Sequence, residues 1–304
     1  PGPGEYWVLA EYEPVSINMF ENPVTVSLGG TEVTCSLPFL WEDDVSEVRT
    51  DRYGNEVVPD QQYLDAPSLC YLEDYEHFTR TPIRFSLEAG ENTLVMTAQN
   101  QDILLRSIRL IRPSEDLAYA EYRAQYADAA EFEGILRIEG EDYRAKSDSY
   151  IRGRNVKNTS LTPNDPYVKM INATDDKSNK TMGQKVLYEV EVPQDGVYYL
   201  SFKYSQPLKS GGAAYRTIEV DGEVPFAEAR DMAFVHTGID IYGNATLGGE
   251  EPLGIYLTAG LHTIALKVTA GPRDALYQEL LAVVNEINDA GIQMKRIKGS
   301  NSDD

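Results

Sequence analysis

Apolar and polar residues alternate with a period of two along most of the chain, in runs of five to eight residues rich in Val, Leu, Tyr and Thr. The runs are cut by Gly and Pro, and several end in pairs that favour tight hairpin turns: Val24 to Leu28 runs into Gly29-Gly30, and Thr217 to Val220 into Asp221-Gly222. This pattern predicts an all-β fold of antiparallel sandwiches. Two segments leave the two-residue period. Ser114 to Ala130 places Leu117, Tyr119, Tyr122 and Tyr126 near helical spacing, with Ser114 as N-cap and Glu115 and Asp116 in the first turn. Pro272 to Ala290 places Leu276, Leu280, Val283, Val284 and Ile287 on one helical face, and Gly291 is expected to stop it.

Two distant stretches read alike when superimposed. Pro1-Gly2-Pro3-Gly4-Glu5-Tyr6-Trp7-Val8 matches Pro193-Gln194-Asp195-Gly196-Val197-Tyr198-Tyr199-Leu200 at an offset of 192, which still holds for Gly30 and Gly222. Pro82 to Leu94 then matches Pro252 to Ile264 at an offset of 170, so the first copy carries 22 extra residues. The repeat implies a first β-sandwich over 1–112, a helical linker over 113–133, a second sandwich over 134–271, and a helix with linker over 272–304. The surplus falls in the polar stretch Trp41 to Phe78, with Asp51-Arg52-Tyr53-Gly54-Asn55 as a loop or hairpin. Sandwich loops commonly carry binding residues, so the insertion is a candidate recognition surface, against the reading of a merely longer loop.

Composition narrows the function classes. Across 304 residues, 27 Lys and Arg stand against 49 Asp and Glu, a net charge of −22 that repels phosphate backbones and anionic lipid. Nucleic acid is therefore not an expected partner. Twenty Tyr against eight Phe is a skewed ratio, and Tyr offers an apolar ring with a wet hydroxyl. Cys35 and Cys70 are too few for a disulfide framework and leave a bridge and two free thiols both open. No run of about 18 apolar residues occurs.

Ile138-Glu139-Gly140-Glu141-Asp142-Tyr143, followed by Pro193 to Leu200, Val220-Asp221-Gly222 and Leu257 to Ile264, resembles carbohydrate-binding modules of families 6 and 35, with a jelly-roll-like, galactose-binding-like sandwich. The first copy resembles the same family without its opening strand. The pair, its Tyr-rich linker and the closing helix also resemble the N-terminal region of large extracellular solute-binding proteins of Gram-positive sugar importers. That resemblance implies an extracellular or cell-surface location, an oligo- or polysaccharide ligand, and importer membrane subunits as partners through a further C-terminal domain. It also implies a structural Ca²⁺ held in part by Glu139 and Glu141. Solvated or hydrogen-bonded carboxylates are the favoured reading of these two residues, because Arg106 and a helix stand where the family's further acidic ligand belongs.

No catalytic constellation accompanies the repeat, and no enzymatic activity is expected. His77, His236 and His262 are scattered, and no Gly-x-Ser-x-Gly elbow, zinc signature or phosphate loop is present. Sugar recognition needs an aromatic platform beside Asn, Asp or Arg. In the second sandwich the candidates are Tyr150, Arg152, Asn155 and Tyr167 in one loop group and His236, Tyr242 and Asn244 in another; in the first they are Trp41, Tyr53, Tyr63 and Phe78. The expected function is a glycan-binding pair of a sugar-importer binding protein. Ancillary modules of a secreted glycoside hydrolase, or purely structural spacers, are the alternatives.

Overall fold

The structure, a computed structural model, describes residues 2–15, 23–46, 49–77, 79–100, 102–175, 177–208, 210–239 and 241–298, and counts refer to these. The fold is all-β apart from two α-helices and short 3-10 turns, and every strand ladder among the described residues is antiparallel. In the first half, Gly4–Pro14 pairs with Ile103–Ile111 on one side and Ser68–Tyr71 on the other. Strand alternation sends Tyr6, Val8, Ala10 and Tyr12 to one face. There they pack with Val24, Val26 and Leu28 of a facing sheet built on Pro23–Leu28, Thr31–Ser36 and Val95–Ala98. The Tyr12 hydroxyl, fully buried, donates to the Pro38 carbonyl at 2.5 Å and lies 3.5 Å from Cys70 Sγ. Cys35 and Cys70 are both free thiols.

In the second half, Lys185–Val192 pairs with Gly260–Thr269, which pairs in turn with Ala213–Val220. A separate core forms there from Val190, Ile218, Phe226, Phe234, Leu247, Ile255 and Ile264.

The insertion of the first copy holds the halves together. Trp41–Asp43 and Gln61–Tyr63 form a hairpin that pairs, through Trp41 and Lys146, with the short strand Ala145–Lys146 at the edge of the second-half sheet. The result is a continuous seven-stranded sheet drawn from both halves. Lys146 is 0% exposed. Its ammonium donates to the Asp43 carboxylate, to Gln61 Oε1 and to the Ile151 carbonyl at 2.6 Å, with Tyr143 Oη at 3.3 Å. Burial lowers the Lys146 pKa, against the pull of Asp43. Further out, Asp51 Oδ1 accepts from the amides of Tyr53 and Asn55, closing the turn foreseen in the sequence, with Gly54 at φ +82°. The neighbouring side chains reach across: Asn55 Oδ1 accepts from the Lys169 amide at 2.8 Å and Glu56 Oε2 from the Ile171 amide at 2.6 Å.

Both helices differ from expectation. The linker helix α1 spans only Tyr119–Gln125, and Ala118 precedes it without a side-chain cap. Ser114 does not start it, because the segment before it is claimed by tertiary contacts. Asp116 pairs with Arg230 through two nitrogens, and the Leu117 carbonyl accepts from the Ala227 amide at 2.9 Å. Tyr119 and Tyr122 each turn a hydroxyl onto the strand Gly254–Leu257, accepting from the amides of Gly254 and Tyr256 at 2.9 Å, and Tyr126 stacks on Tyr256 at 4.3 Å. The closing helix α2 spans Asp274–Lys298 and runs through Gly291 without stopping. Its helix-forming flanks outweigh one Gly, which costs only about 1 kcal/mol inside a helix. Leu276, Leu280, Val283, Val284 and Ile287 share a face as read, yet all are exposed.

His262, in the repeated strand, closes the Asp221-Gly222 turn: its Nδ1 is 2.6 Å from Asp221 Oδ2 and its Nε2 is 2.9 Å from the Thr258 carbonyl. The imidazolium donates to both acceptors, whereas the neutral ring with Nδ1–H on Asp221 is left with the Thr258 hydroxyl, 3.3 Å away, as the partner of Nε2. Despite some desolvation, the Asp221 and Thr258 contacts raise the His262 pKa above 6.5. A raised folded pKa stabilises the fold below the unfolded value and loses that contribution as pH climbs through the folded value. Thermal melts from pH 5.5 to 8.5 are therefore expected to show stability falling across this window in the native chain and a flatter profile in His262→Gln; parallel profiles would refute the charged state of His262.

Candidate functional site

The second half is hollowed by a cleft of about 1410 Å³. Its floor is the inner face of the large sheet, where Val190, Tyr188, Ile264 and Leu266 point inward, and its opposite wall comes from the stretch Tyr198 to Tyr204. Tyr188, Tyr198, Tyr199, Phe202, Tyr204 and Tyr242 supply aromatic lining. The hydroxyls of four of these rings are tied down: Tyr188 to the Gly140 carbonyl at 2.9 Å, Tyr198 to the Gln194 carbonyl at 2.7 Å, Tyr199 to Glu131 Oε1 at 2.6 Å and Tyr204 to the Val235 carbonyl at 3.0 Å. Such tethers fix ring orientation; Tyr198 is already stacked on Phe132 at 4.7 Å and Tyr204 meets Phe234 at 5.0 Å, so Tyr199, 42% exposed, is the ring most open to a ligand. The bond to Glu131, with some desolvation, pushes the Tyr199 phenol up to about 12, and burial does the same for Tyr188.

The cleft inverts the charge of the chain. Seven cationic side chains line it against two anionic ones, in a protein whose net charge is −22. Glu139 pairs with Arg137 at 3.0 Å and Asp175 with Arg154 at 3.5 Å. Lys177, Lys180, Lys203, Arg216 and Arg273 then face the cleft with no carboxylate partner among the described residues. Arg216 is the most telling. It sits within the strand Ala213–Val220, its guanidinium bonded, among the described residues, to the carbonyls of Tyr215 and Asn179 at 3.0 Å, and lost solvation lowers its pKa to about 10.

Of the residues singled out in the sequence for sugar binding, Tyr242 lines the cleft and the other described ones do not, while Glu139, singled out as a metal ligand, lines it too. Tyr150 and Tyr167 are exposed on loops, Tyr167 at 90%. Asn155 is committed to the Met170 carbonyl at 2.6 Å, while Arg152, His236 and Asn244 are exposed. Tyr53 is exposed beneath the Arg52 guanidinium, 4.6 Å from its ring centre, on the turn that meets the loop leading from Tyr167. Trp41 is buried in the joint, edge-on to Tyr63 at 6.2 Å, and Tyr63 also packs on Phe39 at 5.9 Å. Phe78 lies outside the described residues.

Glu139 accepts from Arg137 and from Thr162 Oγ1 at 2.9 Å, so a guanidinium already neutralises it. Glu141 is raised to about 7 by lost solvation and by the charges of Asp142, Glu139 and Glu56. Among the described residues no group of three or more His, Cys, Asp or Glu side chains converges as a cation requires.

Sequence reasoning overlooked the cleft because its residues lie on strands, where a Tyr reads as half-buried filler. The available signal was Arg216, a long cation set inside Ala213-Ala214-Tyr215-Arg216-Thr217-Ile218, where an unpaired charge is costly.

No family model matches the chain, and no curated protein matches it in sequence. Several solved structures are similar to part of it, three of which follow. One is a family 35 carbohydrate-binding module from Clostridium thermocellum, 19% identical over 45% of this chain and 87% of that one, with a TM-score of 0.34. The second is a cycloisomaltooligosaccharide glucanotransferase from Paenibacillus sp. complexed with cycloisomaltoheptaose, 21% identical over 53% of this chain and 22% of that one, TM-score 0.34. The third is an isomalto-dextranase from Arthrobacter globiformis T6 complexed with panose, 13% identical over 61% of this chain and 26% of that one, TM-score 0.34.

Proposed function

We propose that this chain is a non-catalytic glycan-binding protein whose ligand, an oligosaccharide, lies in the second-half cleft. The observation that carries the reading is the pairing of tethered Tyr rings with cations that have no carboxylate partner among the described residues, in a concave site larger than the roughly 300–1,000 Å³ of a drug-sized pocket. Rings stack on the apolar faces of pyranoses, and the fixed N–H groups of Arg216 and the ammonium groups take hydroxyl or carboxylate oxygens. The cationic surplus favours acidic oligosaccharides over neutral ones of the same size. An extracellular setting beside a sugar importer, with membrane subunits reached through a further domain, agrees with the sequence resemblance and completes the proposal.

Calorimetric titration of the whole chain with matched neutral and uronate-bearing oligosaccharides tests it. Tyr199→Ala is expected to weaken binding about 5- to 10-fold, roughly 1 to 1.4 kcal/mol. Tyr150→Ala and Tyr167→Ala, outside the cleft, are expected to leave affinity unchanged. Loss of binding in Tyr167→Ala alone moves the site to the exposed loops, and flat titrations throughout leave the spacer reading.

A further inference from the structure

A second cavity, of about 270 Å³, opens where the two halves meet. It lies on the outer face of the strand Gly4–Pro14, the face opposite the first core, and the turn Gly222 to Pro225 of the second half forms its other side. Trp7 and Tyr71 line it, their rings edge-on at 5.8 Å. Trp7 is only 7% exposed, yet its indole Nε1–H has no acceptor among the described residues. A buried donor without an acceptor costs about 1–3 kcal/mol, so this is a position where a bound oxygen is worth having.

The cavity's cations, in contrast to those of the cleft, are already matched. Lys267 is bonded to Glu73, Arg230 to Asp116, and Arg80 to Asp231. Burial works against the Glu73 charge, but Lys267 and His77 hold its carboxyl well below the usual range. Carboxylates remain at the rim: Glu223 Oε1 accepts from the Tyr71 hydroxyl at 3.2 Å, and Glu219 Oε2 is 3.1 Å from Lys185 Nζ. Among the described residues, each of these cations already has a carboxylate, so none is left to draw an anion. The walls offer two aromatic rings, one orphan N–H donor and acidic acceptors, the complement of a small ring with an apolar face and several hydroxyls.

We propose that this junction cavity is a second binding site, for a single neutral pyranose, with Trp7 Nε1–H donating to a ring or hydroxyl oxygen and Glu223 accepting from a hydroxyl. The site is independent of the cleft, and because both halves build its walls, its occupancy favours the joined arrangement by mass action.

Trp7 and Trp41 are the two tryptophans of the chain, so intrinsic fluorescence reports on the cavity. The whole chain is titrated with neutral monosaccharides, with glycerol as an acyclic control. A saturable change in emission with Kd near about 1 mM is expected for at least one pyranose. Trp7→Phe, which keeps an aromatic ring and drops the N–H, is expected to weaken the interaction about 10-fold by calorimetry. Glu223→Gln, an exposed and structurally mild change, is expected to weaken it several-fold, while Tyr199→Ala in the cleft leaves it unaltered. No saturable response to any neutral pyranose overturns the proposal, as does a response that survives both Trp7→Phe and Glu223→Gln. A response lost in Tyr199→Ala assigns the sugar to the cleft and overturns it too.

Discussion

Asp43→Ala is expected to destabilise the chain by about 3–5 kcal/mol, the largest effect of any single charge removal, because it strands the fully buried Lys146 ammonium. Asp43 is its sole carboxylate partner among the described residues, and the Gln61, Ile151 and Tyr143 oxygens that remain are neutral. Denaturant unfolding measures the loss directly, and a midpoint drop of about 10 °C in a thermal scan is the matching signal. A buried pair is often no better than a well-packed apolar one, so the double variant Asp43→Leu, Lys146→Met is expected to recover most of the stability. A loss under about 1 kcal/mol in Asp43→Ala would falsify the view that this ammonium is cut off from water.

The second large effect is placed at Phe226. This ring is fully buried in the second core and holds α1 through Tyr119 at 4.9 Å and Tyr122 at 5.1 Å. Phe226→Ala is expected to cost about 3–5 kcal/mol through lost burial and the cavity left behind. α1 has seven residues, none buried, and is too short to persist alone. Its tyrosines would lose their seat. Hydrogen exchange is therefore expected to quicken at the amides of Gly254 and Tyr256, which those hydroxyls accept from, more than at the distant ladder between Gly4–Pro14 and Ile103–Ile111. Tyr122→Phe separates the two contributions: it keeps the ring, orphans the Tyr256 amide and is expected to cost about 1–3 kcal/mol. Uniform acceleration across both halves in Phe226→Ala would show a global loss of stability instead of local release of α1.

The strands were legible because alternation and turn chemistry are local: Tyr6, Val8, Ala10 and Tyr12 declare their face by spacing alone, and Asp221-Gly222 declares its turn. Helix ends were less so. Ser114 carries a good capping side chain, but Asp116 finds Arg230, 114 residues away, and that pairing holds the segment out of the helix. The role of Trp41 to Tyr63 was hidden for the same reason. Its polar residues look like a solvated loop until Asp43 meets Lys146 and Glu56 meets the Ile171 amide, contacts separated by more than 100 residues. Of the cleft's lining, Tyr242 was among the residues singled out in the sequence and Arg216 was not. A cation on a strand declares its surroundings only once the opposite wall is known.

The hairpin Trp41–Asp43 and Gln61–Tyr63 also bears on how the protein is to be dissected. A fragment beginning at residue 134 keeps the whole second repeat copy, yet leaves behind the outermost strands of its own largest sheet. Such a fragment bares the backbone of Ala145–Lys146 as an open edge, a template for aggregation, and deprives Lys146 of its counter-ion. Grafting residues 41–63 back onto it supplies both the missing edge and the missing charge, which makes the repeat unit and the smallest well-behaved unit two different stretches of this polypeptide.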